Sequence, residues 1–291
     1  MTVRPPPPAV DPAIIGDIKR ASRATNIDFG YLMAQAAQES GFKPAAKAAT
    51  SSATGLFQFI DSTWLQSVRQ YGAKYGLGQY AAQIGAGEDG RAHVADPVVK
   101  QQILDLRKDP NVSSEIAAEF ARSNKDEVER ALGRPANPTD LYLAHFLGAR
   151  GATAMAKTVS SAGTTSAAAL LPQAAAANRS VFYDKDGEPK TVAQIYRSFA
   201  DKIERQISQY AESTGTEPDV AAARLANAVV ETPAAQVTAN GDEAFRPGSG
   251  SQTLATLNVL ALAALKLISG TPGADEPVAP GNRRRNTDTS V

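Results

Sequence analysis

From residue 11 onward the apolar positions recur at the three- and four-residue intervals of helices packed on one face. Ile14, Ile15, Ile18 and Ala21 follow Asp11-Pro12, and Leu32, Met33, Ala36 and Ala37 follow Asp28. Trp64, Leu65, Val68 and Tyr71 follow Asp61 or Ser62, either of which can cap the helix. Start signals recur at Asp96-Pro97, Asp109-Pro110 and Asn137-Pro138. An Asp or Asn side chain accepts from free amides at a helix start, and proline has no amide to lose there. These starts open runs carrying Val99, Ile103 and Leu106, then Ile116 and Phe120, then Leu141, Tyr142, His145 and Phe146. Short helices are expected at 152–159 and 166–177, and a turn or small hairpin around Asp186-Gly187. Thr191 caps a last helix whose inner face is Val192, Ile195, Phe199, Ile203, Ile207 and Tyr210. Residues 72–90 are rich in glycine and read as irregular, with one turn near Tyr80. The count is roughly eight to ten helices with no strand pattern, which predicts one all-α domain over residues 11–213.

The flanks read differently. Residues 1–10 form a proline-rich arm, extended by its four consecutive prolines. Gly, Pro, Thr and Ala dominate 214–251, a linker with room for one helix after Pro218. Residues 252–269 form an isolated apolar helix, and 270–291 a polar tail with Arg283-Arg284-Arg285. The apolar helix is broken by Thr256, Asn258 and Lys266 and is shorter than the ~20 residues a bilayer span needs, so no transmembrane segment is expected. The opening MTVRPPPPAV has no apolar run and is no signal peptide as written, which leaves the export route open.

Composition narrows the function classes. With 43 % apolar and 21 % charged residues the chain is an ordinary globular protein. Its 30 basic and 30 acidic side chains cancel, which argues against nucleic acid as a partner. There is no cysteine and only two histidines, far apart, so no metal site and no cofactor are expected.

The candidate chemistry lies in residues 34–64, AQAAQESGFKPAAKAATSSATGLFQFIDSTW. Glu39 stands in the last turn of an apolar helix that stops at Gly41, with Pro44 preventing its continuation. Apolar surroundings disfavour a carboxylate, and so does the negative end of the helix dipole. Both act in the direction a proton donor to a glycosidic oxygen requires. Sixteen residues on, Gly55-Leu56-Phe57-Gln58-Phe59 supplies a tight turn, an amide and two aromatic rings.

Glu39-Ser40-Gly41-Phe42, the Gly-Leu-Phe-Gln-Phe turn and Thr63-Trp64 together resemble the signature of the soluble lytic transglycosylases. These share a lysozyme-like fold with goose-type lysozyme. The resemblance implies that Glu39 is a single acid/base catalyst. It implies that Ser40 orients the carboxyl or the substrate acetamido group, and that Gly55 lets the turn approach the sugars. Gln58 would hydrogen-bond to the glycan, and Phe57 would pack on a sugar ring. Phe57, Phe59 and Trp64 read equally as core. The family's later Ala-Tyr-Asn-Ala-Gly motif stands here as Ala144-His145-Phe146-Leu147-Gly148, so His145 takes the Tyr position. His145, or Tyr142 one turn earlier, would donate to Glu39 or to substrate. His93 reads as surface.

A two-carboxylate glycosidase needs a second acid close by. Only Asp61 is near in sequence, and it looks committed to a helix cap. The resemblance therefore implies substrate assistance: cleavage between N-acetylmuramic acid and N-acetylglucosamine with 1,6-anhydro ends, in the periplasm or cell envelope. The alternatives are a hydrolytic muramidase of the same fold, or a wall-binding factor. By analogy, the 252–269 helix would dock an envelope-spanning flagellar, secretion or phage machine.

Overall fold

The computed structural model describes residues 10–214 apart from 50 and 89, with side chains through Tyr210. The expected arm, linker, apolar helix and tail lie outside the described residues.

Eleven α-helices are present among the described residues: α1 (Pro12–Thr25), α2 (Phe29–Ser40), α3 (Asp61–Tyr71), α4 (Gly78–Ala82), α5 (Pro97–Asp105), α6 (Pro110–Leu132), α7 (Pro138–Ala162), α8 (Ala167–Leu170), α9 (Pro172–Ala177), α10 (Arg179–Phe182) and α11 (Val192–Thr214). The fold is all-α, as the periodicity predicts. The start signals act as expected. Asp11 accepts from the Ala13 amide at 2.9 Å, Asp96 from Val98 at 2.7 Å and Asp109 from Asn111 at 2.9 Å. Each such cap contributes about 1 kcal/mol. Asn137 goes further, since its side chain and that of Asp140 cap each other's backbone amides. Thr191 and Gln194 form the same reciprocal pair at the start of α11.

Three local expectations are corrected. Asp61 is the first residue of α3 and gives no cap; its carboxylate pairs with Arg107 at 2.8 Å. The glycine-rich segment 72–90 contains a 3₁₀ turn at Gly72–Tyr75, α4, and a strand β1 (Gly85–Ala86) paired antiparallel with β2 (Ala92–His93). Two-residue strands are too short to leave an alternating pattern in the sequence. Residues 152–159 are no separate helix but the second half of α7, which bends at Gly148 (φ 74°, ψ 162°). That conformation is open essentially to glycine alone.

One continuous apolar core runs from Ile14 on α1 to Tyr210 on α11. Helix α6 packs on α1 and α7, and α11 packs on α2 and α7. Enclosed in this way, α2 buries ten of its twelve residues, so its polar side chains Gln35, Gln38 and Glu39 lie inside the protein.

Candidate active site

Asp28 starts α2 by accepting from the Tyr31 amide at 2.6 Å, and Gly41 ends it in the left-handed conformation at φ 59°. Between them Gln35 and Glu39 are four residues apart and share one face of the helix. That face meets His145 on α7. His145 Nε2 lies 3.2 Å from Glu39 Oε1, and Gln35 Nε2 lies 3.0 Å from His145 Nδ1. All three are buried, and the Glu39 side chain keeps 1 % of its accessible surface. The carboxyl is thus closed off from solvent. Glu39 Oε2, Gln35 Oε1 and both polar atoms of the Gln38 amide have no hydrogen-bond partner among the described residues.

Other ionisable groups surround the carboxyl. Burial pushes the Tyr142 hydroxyl well above its ordinary range, and the charge of Glu39 adds to the effect. Tyr31 is raised by the same two causes in the same order. Lys202, reaching in from α11, is lowered to about 8 because burial disfavours the ammonium, although Glu39 opposes the shift. It forms no hydrogen bond or ion pair among the described residues. The Tyr142 ring also packs against Phe199 of α11 at 5.3 Å and lies 6.4 Å from the His145 ring.

Ser40 joins α2 to the second half of the motif. Its hydroxyl lies 2.8 Å from the Leu56 carbonyl and accepts from the Lys43 amide at 3.2 Å. The turn it reaches is tightly braced. Gln58 adopts φ 49°, and its amide donates to the Ala46 and Gly55 carbonyls at 3.0 and 2.9 Å. Gly55 (φ 91°) packs on the backbone of Arg107, where a Cβ would stand 2.0 Å from the carbonyl oxygen. Phe57 is 1 % exposed. Phe59 and Trp64 pack edge-on at 5.2 Å, and the indole donates to the Ile103 carbonyl at 2.6 Å. The structure thus brings Glu39, His145 and Tyr142 together at one point. Ser40, Gly55, Phe57 and Gln58 lie in the adjoining turn, each engaged with the protein itself. His93 is exposed in β2, as expected.

Three residues of this region stand out only in the structure. Gln35 and Lys202 lack any motif context in the sequence. Arg107 sits in a Leu-Arg-Lys-Asp run that reads as surface, yet it is 6 % exposed. Its guanidinium donates to the Ser52 and Phe59 carbonyls and to Asp61, at 2.8–2.9 Å, and so fixes the far side of the turn.

Other buried carboxylates have structural partners. Glu119 is held by Lys74, Tyr75 and Arg122, and Asp140 by Arg134, Tyr196 and its own cap. Among the described residues no cluster of three His, Asp or Glu could hold a metal ion.

The family model described as Transglycosylase SLT domain matches residues 17–82. The match takes in most of α1, all of α2 with Glu39, the braced turn, and α3 through α4. The resemblance carried by Glu39-Ser40 and the Gly-Leu-Phe-Gln turn is thereby borne out, and the match supports a function of the lytic transglycosylase type, acting on peptidoglycan. His145 and Lys202 lie beyond the matched segment.

Proposed function

We propose that the chain is a peptidoglycan lytic transglycosylase that cleaves the β-1,4 bond between N-acetylmuramic acid and N-acetylglucosamine, with Glu39 as acid and then base. The observation that carries this reading is the setting of Glu39. It is the buried carboxyl of the matched segment, one oxygen is engaged by His145, and the other has no partner among the described residues. Glu39 gives its proton to the bridging oxygen as the glycosidic bond breaks, and the N-acetyl carbonyl oxygen of the substrate bonds to the anomeric carbon. The Glu39 carboxylate then takes the proton of the muramyl C6 hydroxyl. The C6 oxygen displaces the carbonyl oxygen, the 1,6-anhydro ring closes, and no water is consumed. Ser40, Gly55 and Gln58 serve by shaping the turn beside the carboxyl, Phe57 by supporting it from the core, and Tyr142 with His145 by lining the opposite wall. A peptidoglycan substrate puts the active protein outside the cytoplasmic membrane; no helix among the described residues is long and apolar enough to cross one.

The closed state of the carboxyl favours one further reading, a wall-binding factor with little turnover. Digestion of purified sacculi distinguishes the two. The wild-type protein is expected to release muropeptides, and Glu39→Gln to release essentially none while still binding. Substantial residual cleavage by the variant would identify a different acid, and binding without turnover by the wild type would favour the factor.

A further inference from the structure

We propose that Gln35 is a positioning residue that acts on Glu39 through His145, by fixing which nitrogen of the imidazole carries the proton. The proposal rests on the reading of Glu39 as acid and base.

The three side chains form a chain of contacts: Gln35 Nε2 to His145 Nδ1 at 3.0 Å, then His145 Nε2 to Glu39 Oε1 at 3.2 Å. An amide nitrogen can only donate, so Nδ1 accepts and the ring proton of a neutral imidazole resides on Nε2. From there it is directed at Glu39 Oε1. One carboxyl oxygen is then held as an acceptor throughout the reaction, and the transferable proton is confined to Oε2, the oxygen without a partner among the described residues. The proton leaves Oε2 for the bridging oxygen in the first step and returns to Oε2 from the C6 hydroxyl in the second. Oε1 and the imidazole keep one arrangement in both.

A cost points the same way. Gln35 is 3 % exposed, and its Oε1 has no partner among the described residues. A buried, unpaired amide oxygen is destabilising. The amide carries that cost while it holds Nδ1 of His145, the contact that selects the tautomer. Of the other groups facing Glu39, Tyr31 lies on the same helix, Tyr142 on α7 and Lys202 on α11.

The test uses the full chain. There are only two histidines, so a nitrogen-15 long-range spectrum resolves both rings, with exposed His93→Gln used to assign them. His145 is expected as the Nε2–H tautomer. Gln35→Glu, whose carboxylate accepts, is expected to draw the ring proton to Nδ1; Gln35→Leu is expected to release the preference. Both variants should lower kcat on sacculi by about 10–100-fold with KM little changed, the scale of one lost hydrogen bond to a charged group. An Nδ1–H tautomer in the wild type, or a tautomer unchanged in Gln35→Leu, overturns the proposal. The spectra need no glycan, so they separate its failure from failure of the proposed function, which the muropeptides report.

Discussion

Lys202 illustrates how an ionisable side chain is tuned by the helices packed around it. Lys202 is half-buried on α11, which packs on α2 and α7, and this burial lowers it to about 8 from an ordinary 10.5. The sign of the linkage follows. Between those values the unfolded chain binds more protons than the folded one, so stability rises with pH across that window, and below it the full cost of burying the ammonium is present. Solvent at the exposed part of the side chain screens the charge, which leaves a cost of about 1–2 kcal/mol. Lys202→Met keeps the apolar stem and should therefore raise the melting temperature at pH 7, with the gain over wild type fading as the pH approaches 10.5. A gain independent of pH would show that packing rather than charge is responsible. At this scale the sequence was informative where a motif surrounded the residue, as for Glu39 and His145. It was silent on Gln35, Lys202 and Arg107, whose roles arise from partners 110, 163 and 55 residues away in the chain. A contact between distant helices leaves no local pattern to read.

Helix α7 carries the far wall of the site, and its bend decides where that wall stands. The helix starts at the reciprocal cap of Asn137 and Asp140 and presents Tyr142 and His145 on successive turns. It then breaks at Gly148, where φ 74° and ψ 162° exclude a side chain at ordinary cost. Gly148→Ala should lose about 1–3 kcal/mol of stability, read as a lower denaturation midpoint, and should impair sacculus digestion by displacing His145. Unchanged stability would mean that the backbone accepts a straight helix there. The element-level pattern explains both the accurate and the inaccurate readings of the sequence. The Asp-Pro and Asn-Pro starts are local chemistry, and each opened a helix where expected. Gly148 and Gly151 disfavour a helix interior, so a local reading separates 152–159 from the run ending at Phe146, although the chain runs on through the bend. Asp61 has the residue type of a cap but is turned to the guanidinium of Arg107, a partner that a local reading does not supply.

Over the whole molecule, the helices enclose α2 until almost nothing of it is left on the surface, and the candidate site is a consequence of that enclosure. An amphipathic α2 would have turned Glu39 to solvent; a buried one leaves the carboxyl with a single ring nitrogen as partner and with Tyr31, Tyr142 and Lys202 around it. The fold class and the family resemblance were both legible in advance, because a helical repeat and a dense motif are local signals. The closed state of the carboxyl was not, since it depends on how α7 and α11 pack around α2. The central claim is that Glu39 breaks the glycan alone and that the sugar supplies its own nucleophile. Digesting sacculi in heavy-oxygen water and weighing the released muropeptides tests it most directly. Lytic cleavage predicts anhydro-muramyl ends carrying no heavy oxygen from the solvent; one heavy oxygen at each new reducing end would mean that water attacks, and would contradict the account.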